Sequence, residues 1–119
     1  MANKVIHWEI GGRDGSKMNE FYSNLFDWKI EHVPQMNYYM CCTGEGNVGG
    51  GFFQIDESKG MKPYLTIYVE VDDLQAYLDK AVKLGAKVLM PPMEISPEIG
   101  SCALIMDLDM NVIGLFKTP

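Results

Sequence analysis

The sequence predicts an α+β fold made of two successive βαβββ modules. Residues 4–10 and 65–71 carry the same alternation of apolar and polar side chains, which is typical of a strand with two different faces. Each of these strands is followed by a turn, one amphipathic helical pattern and three further strand patterns. A chain of 119 residues is long enough for one core. We expect a single domain over residues 1–119, with modules at about 1–58 and 62–119.

The first strand carries the most informative pair of polar side chains. Ile6, Trp8 and Ile10 alternate along one face, which is apolar and should be buried. His7 and Glu9 alternate along the other face, so an imidazole and a carboxylate stand side by side.

The rest of the first module follows from local signals. A turn at residues 11–15 precedes a helix predicted over residues 16–26, with Asp14 or Ser16 as the N-cap. The helix should bury one apolar stripe, made of Met18, Phe21, Tyr22 and Leu25. Strands are predicted at residues 28–33, 38–43 and 50–55, separated by Pro34 and by the glycine-rich turn at residues 44–49.

The second module repeats this order after a polar link at residues 56–63. A strand at residues 64–71 leads to a helix capped by the Asp72–Asp73 pair and ended by Gly85. The buried stripe of this helix is predicted to be Leu74, Tyr77, Leu78 and Ala81. The remaining strands are predicted at residues 86–90, where Pro91 and Pro92 should stop the strand, and at 101–106 and 112–117.

Matching positions support a true duplication. His7 aligns with Thr66, the two helical stripes align with each other, and residues 28–30 align with residues 86–88, at offsets that differ only in the turns. The alternative fold is a dimeric α+β barrel of the ferredoxin-like type. Three strands after each helix favour the duplication, whereas one or two would favour the alternative.

Composition excludes several classes of function. The net charge is −6 and no cluster of Lys and Arg is present, so we expect no nucleic-acid partner. No apolar run approaches the ~20 residues that span a bilayer, and the first residues lack a signal-peptide pattern, so we expect a cytoplasmic protein without a membrane partner. Cys41, Cys42 and Cys102 lack metal-binding spacing and are predicted to be small core residues; Cys41 and Cys42 should point to opposite faces.

Several fragments together resemble a known family. They are residues 7–10, the Phe21–Tyr22 pair in the first helix, and residues 25–29, 69–73, 85–88 and 109–116. In this order they resemble glyoxalase-like proteins of the glyoxalase, bleomycin-resistance and extradiol-dioxygenase superfamily, the vicinal oxygen chelate proteins, over essentially the whole chain. The resemblance implies that the two modules form a curled mixed sheet around a shared cleft. It also implies a homodimer.

The resemblance also implies where a divalent metal would bind. Active members carry ligands on the first, fifth and last strands, and the glyoxalases carry a further carboxylate on the fourth. These positions fall on His7, Thr66, Gly114 and Gln54. Only His7 is a good donor for a transition metal. We therefore expect no cofactor and no standard metal site. A displaced site made of His7, Glu9 and Glu70 is the alternative.

The strands that would line the cleft supply the candidate binding residues. They are His7, Glu9, Tyr39, Phe52, Gln54, Thr66, Tyr68, Glu70 and Phe116. The sequence does not decide whether Phe52 or Phe53 faces the cleft, because a slip of one residue reverses the faces. His7 is also a candidate catalytic base, with Glu9 as a partner that would raise its pKa or bind a cationic group of a ligand.

Three functions are consistent with these residues. The first is a glyoxalase-like protein that binds a small organic molecule in its cleft without the standard metal. The second is a lyase, an isomerase or a dioxygenase-related enzyme that uses His7 as a base or a displaced metal. The third is a domain that has lost its site and acts as a dimerising partner.

Overall fold

The structure is a computed structural model that describes residues 2–119. Two α-helices and eight β-strands alternate along the chain in the order β1, α1, β2, β3, β4, β5, α2, β6, β7, β8. The helices are α1 (Gly15–Phe26) and α2 (Leu74–Lys83). The strands are β1 (Val5–Gly12), β2 (Lys29–Val33), β3 (Tyr38–Cys42), β4 (Gly50–Gln54), β5 (Tyr64–Glu70), β6 (Lys87–Ser96), β7 (Gly100–Met106) and β8 (Val112–Lys117).

Three strands follow each helix, as the duplication requires. The predicted α+β fold with two βαβββ modules is therefore confirmed, and the ferredoxin-like alternative is wrong. By its internal contacts the chain forms two compact units, which we call the N-terminal unit, His7–Leu65, and the C-terminal unit, residues 2–6 with residues 66–119.

The N-terminal unit has a mixed sheet in the order β2-β3-β4-β1. β1 runs parallel to β4, and the register places Glu9 opposite Gly51 and Ile10 opposite Phe52. β3 is antiparallel to both β2 and β4. Because side chains alternate along each strand, this register fixes which residues share a face of the sheet.

One face of this sheet packs against α1. Tyr39, Cys41 and Phe52 are buried there, and Met18 and Tyr22 of the helix pack on them. The predicted helical stripe is only half correct, since Phe21 and Leu25 are 58% and 56% exposed. Met18 and Tyr22 face the sheet, whereas Phe21 and Leu25 lie beside Lys17, Glu20 and Asn24 on the solvent side of the helix.

Helix α1 begins where the sequence places its cap. The side chain of Asp14 accepts a hydrogen bond from the backbone N–H of Lys17 at 3.0 Å, as an N-cap residue does. The C-cap residue that follows the helix is Asp27, which takes a positive φ of 57°. Aspartate tolerates this left-handed conformation better than most residues.

The C-terminal unit repeats the same topology. Its sheet has the order β5-β8-β7-β6, with β5 parallel to β8 and the other neighbours antiparallel. The first residues of the chain belong to this unit: the N–H of Glu70 donates to the carbonyl of Lys4, and Asn3 Nδ2 donates to the carbonyl of Glu70. Residues 2–6 thus belong to the C-terminal unit, whereas the sequence pattern places them in the first module, at about 1–58.

Helix α2 covers the core of the C-terminal unit. Leu74 and Leu78 are buried against Ala103 and Leu115, and Tyr77 packs beside them. The predicted stripe of this helix is confirmed at these positions. The cap is also as predicted, because the side chain of Asp73 accepts from the N–H of Ala76 at 3.0 Å and Gly85 takes a φ of 106° after the last turn.

Strand β6 corrects one prediction. Pro91 and Pro92 do not end it, because it runs from Lys87 to Ser96 with shifts of register between Val88 and Met90 and between Met90 and Met93. β6 stands last in the order of this sheet, and its irregular pairing with β7 accommodates residues that cannot donate a ladder hydrogen bond.

The two neighbouring cysteines of β3 point to opposite sides, as predicted. Cys41 is buried, and burial raises the pKa of its thiol to about 12. Cys42 is exposed, so the prediction that it is a core residue is wrong. Within residues 2–119 no helix is long and apolar enough to cross a membrane.

Candidate functional site

The face of the N-terminal sheet opposite α1 carries the two polar residues that the sequence singles out. Trp8 and Ile10 pack toward the helix, so His7 and Glu9, which alternate with them, lie on the other side. The register brings further residues of β3 and β4 to this side. We call this surface the His7 face; it includes His7, Glu9, Tyr38, Gly51, Phe53 and Tyr64, with Met40 at its margin.

His7 is held by a tyrosine from β3. Its Nε2 lies 2.7 Å from Tyr38 Oη, and the two rings are inclined by only 23°. The distance is that of a short, well-formed hydrogen bond. Burial lowers the pKa of His7 below its ordinary value, because desolvation disfavours the charged imidazolium. His7 is therefore neutral at pH 7.

A glycine of β4 makes room for the ring of Tyr38. A Cβ atom at Gly51 would lie 2.2 Å from Tyr38 Cε2 and 2.6 Å from its hydroxyl oxygen, well inside van der Waals contact. Tyr38 is 8% exposed, so its ring has little freedom to move. The absence of a side chain at Gly51 thus places the Tyr38 hydroxyl against His7.

Glu9 is held in the same way by Tyr64, the first residue of β5. Tyr64 Oη donates to Glu9 Oε1 at 2.8 Å, and Glu9 is 8% exposed. The ring of Tyr64 lies against Gly11, where a Cβ atom would approach Tyr64 Cε2 to 2.1 Å. The expected rise of the His7 pKa through Glu9 is wrong, since desolvation moves that pKa downward.

Two aromatic residues predicted for the cleft lie on the opposite side of the sheet. Tyr39 and Phe52 are buried in the core under α1, with Phe52 fully buried. The prediction that they face the same side as His7 is wrong, because Phe52 is the register partner of both Tyr39 and Ile10, and Ile10 packs toward α1. Of the two phenylalanines between which the sequence does not decide, Phe53 lies on the His7 face, and it is half-buried.

Gln54 has a structural partner. Its Oε1 accepts a hydrogen bond from the backbone N–H of Gly15, the first residue of α1, at 3.1 Å. The first N–H groups of a helix lack partners within the helix, and Gln54 satisfies one of them. Gln54 lies two residues after Phe52 and therefore shares its face of β4, the side that packs against α1. Its predicted place on the His7 side of the sheet is wrong.

The remaining predicted residues belong to the C-terminal unit and lie on its sheet face opposite α2. Thr66 is 4% exposed, and its Oγ1 donates to the carbonyl of Val112 at 2.5 Å. The ring of Tyr68 lies against Gly114, where a Cβ atom would approach Tyr68 Cδ2 to 2.3 Å. Glu70 and Phe116 are partners in the register of β5 and β8 and are half-buried.

The residues at the family's metal positions do not fit a divalent transition metal. Such an ion needs three or four imidazole, thiolate or carboxylate donors. Thr66 offers a hydroxyl that is already bonded to a carbonyl, and Gly114 offers no side chain. Among the described residues, 2–119, no group of three or more His, Cys, Asp and Glu side chains could hold a metal ion.

Sequence reasoning missed the two tyrosines that hold His7 and Glu9. The sequence pattern places Tyr38 and Tyr64 only at the first positions of two predicted strands. The available signal was the glycines: Gly11 and Gly51 are strand residues without side chains, which marks a place where a neighbouring group comes close.

Two open depressions lie elsewhere on the surface. The larger, of about 580 Å³, runs along the exposed side of α1, and the smaller, of about 260 Å³, lies over β2 and β3. The larger is lined by exposed side chains of α1 alone. The smaller includes Met40, which is the register partner of Gly51 and so lies at the margin of the His7 face.

Comparison with curated proteins finds glyoxylase relatives. The proteins named "Putative glyoxylase CFP32" in Mycobacterium bovis and Mycobacterium tuberculosis are each 29% identical over 109 residues, or 87% of this chain. The chain spans 41% of the length of these relatives. A "Glyoxylase-like domain-containing protein" of Didymella fabae is 24% identical and matches 97% of this chain and 98% of its own length. No family model matches the chain.

Solved structures share the fold. A glyoxalase/bleomycin resistance protein/dioxygenase superfamily member from Vibrio splendidus has a TM-score of 0.67 at 14% identity and covers 98% of this chain and 99% of its own. The Mn(II)-bound glyoxalase of Novosphingobium aromaticivorans has a TM-score of 0.67 at 15% identity, covering 98% and 40%. Methylmalonyl-CoA epimerase of Mycobacterium tuberculosis has a TM-score of 0.66 at 15% identity, covering 97% and 87%.

The fold is therefore that of the glyoxalase/bleomycin resistance/dioxygenase superfamily. The sequence is also similar to the curated glyoxylase relatives, in agreement with the resemblance that the sequence fragments predict.

Proposed function

We propose that this glyoxalase-like protein binds a small organic molecule on its His7 face, without a divalent metal. The observation that carries the proposal is the pair of hydrogen bonds that fix His7 through Tyr38 and Glu9 through Tyr64. Small-molecule sites combine an apolar lining with a few polar groups held in place, and this face has that composition.

The aromatic residues of the face supply the apolar part of the site. The rings of Tyr38 and Tyr64 pack against Gly51 and Gly11, and Phe53 adds a third ring on the same side. Rings held in this way lose little further freedom when a ligand packs on them. The face therefore favours a ligand with a flat or apolar body and polar groups near His7 and Glu9.

The partner of His7 argues against a role as a metal ligand. Nε2 is hydrogen-bonded to Tyr38 at 2.7 Å, and a metal at that nitrogen would have to displace the buried phenol. The other positions that the family uses add no imidazole or carboxylate. These side chains therefore favour binding of a small molecule through hydrogen bonds and aromatic contact over metal coordination.

The test is a fragment titration followed by two-dimensional ¹H–¹⁵N NMR. A panel of aromatic amides, acids and amines is added to the chelator-treated protein, and amide shifts are mapped onto the sequence. We expect at least one fragment to shift residues of β1, β3 and β4 around His7. We also expect His7→Ala and Glu9→Ala each to weaken this binding at least about tenfold. Each variant removes one hydrogen bond to a charged or buried group, and a loss of that size corresponds to such a change in Kd.

The control is His32→Ala, which removes the other imidazole of the chain. His32 is exposed on β2 and stacks on Tyr39, on the side of the sheet opposite the His7 face. Fragment binding should be unchanged in this variant. The proposal fails if no fragment shifts the His7 face, or if binding is seen only after Ni²⁺, Zn²⁺, Fe²⁺ or Mn²⁺ is added.

A further inference from the structure

The hydrogen bond between His7 and Tyr38 has two chemically different forms. Either the Tyr38 hydroxyl donates to the lone pair of Nε2, which leaves the proton of the neutral ring on Nδ1, or Nε2–H donates to the phenol oxygen. The two forms present different groups to a ligand. The form in which Nδ1 is protonated offers a donor there, and the other form offers an acceptor.

We propose that Tyr38 is a positioning residue that holds neutral His7 in the tautomer protonated on Nδ1. A phenol O–H is a stronger donor than a neutral imidazole N–H, and an imidazole nitrogen is a stronger acceptor than a phenol oxygen. The 2.7 Å separation is that of a short hydrogen bond, in which this difference in acidity matters most.

The packing around Tyr38 keeps its hydroxyl at this position. Its ring is confined by Gly51, which leaves no space for any side chain, and Tyr38 is 8% exposed. On the same strand and face as His7, the carboxylate of Glu9 accepts a hydrogen bond from the hydroxyl of Tyr64. A rigid donor selects one tautomer, in the way that a second group orients a histidine in other sites.

This inference deepens the proposed function, and it rests on that function only for the identity of the binding face. A ligand that meets Nδ1 must bring a hydrogen-bond acceptor, such as a carbonyl or carboxylate oxygen. His7 then acts on the ligand as a donor. Base catalysis through Nε2 would require Tyr38 to leave, which its confined ring opposes.

The test is ¹⁵N NMR of the histidine ring nitrogens in the free protein at pH 8, without any ligand. The chain has 2 histidines, so each ring is assigned by comparison with a His32→Gln variant. A ring nitrogen that bears a proton and one that carries a lone pair have clearly different ¹⁵N shifts. We expect the Nδ1-protonated pattern for His7, and a move toward the Nε2-protonated form in Tyr38→Phe.

The matched control is Tyr39→Phe, which removes a hydroxyl from the next residue of β3, on the opposite side of the sheet. It should leave the His7 pattern unchanged. The proposal is overturned if wild-type His7 is protonated on Nε2, or if Tyr38→Phe leaves the pattern as it is while its amide spectrum remains folded. Because no ligand is used, failure here is separate from failure of the fragment titration, which tests the proposed function.

Discussion

Two tyrosine hydroxyls determine the chemistry of the His7 face at the scale of single residues. Tyr38 meets the imidazole of His7, and Tyr64 meets the carboxylate of Glu9. Both polar groups lie where apolar rings exclude much of the solvent, and each would be costly to bury without a partner. The tyrosines therefore stabilise the fold and leave two fixed polar groups on one surface.

The lowered pKa of His7 predicts a pH dependence of stability. The unfolded ring takes up a proton near its ordinary pKa of about 6.5, whereas the folded ring does so only at lower pH. The unfolded state therefore binds more protons below that pH, and the free energy of unfolding should fall as the pH drops through this window. Urea unfolding between pH 8 and pH 5 measures it.

In His7→Gln this part of the pH dependence should disappear, so the difference in stability between wild type and variant should shrink at the acidic end. An unchanged slope in His7→Gln would contradict the assigned direction of the His7 pKa.

The two adjacent cysteines predict selective alkylation. Burial raises the pKa of Cys41 to about 12, so its thiolate is scarce at pH 8.5, whereas Cys42 is exposed. Cys102 is buried as well. Brief treatment of the folded protein with iodoacetamide should modify Cys42 first, and mass spectrometry of the peptides locates the adduct. Equal modification of Cys41 would contradict the described packing of β3.

At this scale the sequence predicts His7 and Glu9 but not their partners. Alternation along β1 is a local signal, so the shared face of these two residues is visible in the sequence. Tyr38 lies 31 residues from His7 in sequence, and its contact depends on the register of three strands. The same register decides that Phe53, and not Phe52, shares the face of His7.

The elements themselves follow local signals, and the exceptions have physical reasons. The N-cap residues predict the first residue of each helix to within about one position of where the structure has it. β6 passes through Pro91 and Pro92 because a strand with only one partner tolerates missing donors. The stripe of α1 is partly exposed because spacing shows which residues share a helix face, whereas the placement of the helix on its sheet decides which of them are buried.

The contact between Tyr38 and β4 predicts the effect of Gly51→Ala. The added methyl would overlap the tyrosine ring, which must then move away from His7. Overpacking of this kind costs about 1–3 kcal/mol, and we expect a loss in that range by urea unfolding. The double variant with Tyr38→Ala should lose less than the sum of the single losses, since the clash is gone. Simple additivity would contradict the contact.

The turn between β7 and β8 predicts a stabilising substitution. Met110 is 72% exposed and takes a φ of 66°, a conformation that costs a side-chain-bearing residue about 1–2 kcal/mol. Glycine adopts it freely but loses more entropy on folding. Met110→Gly should therefore gain about 0.5–1 kcal/mol in chemical unfolding. Leu108→Gly, in the same turn at similar exposure, should give no gain; an equal gain would contradict the strain at Met110.

At the scale of the whole molecule, the two units share one topology and differ in their polar residues. Both have a parallel pair flanked by antiparallel strands and covered by one helix. This duplication is visible in the sequence because strand, helix and turn signals recur in the same order. The N-terminal unit carries His7 and Glu9 on the sheet face opposite α1, and the C-terminal unit carries Thr66 and Tyr68 at the corresponding strand.

The homodimer implied by the family resemblance stays a prediction. Light scattering coupled to size-exclusion chromatography measures it directly, since the chain mass is 13.4 kDa. A mass near twice this value is expected, and a monomer at micromolar concentration would contradict it.

The metal content of the purified protein tests the central claim most directly. The protein is incubated with Ni²⁺, Zn²⁺, Fe²⁺ or Mn²⁺, desalted, and measured by inductively coupled plasma mass spectrometry beside His7→Ala. We expect no stoichiometric metal in either protein and no difference between them. One equivalent of metal that is retained by the wild type and lost in His7→Ala would contradict a His7 face that binds its ligand through hydrogen bonds and aromatic contact alone.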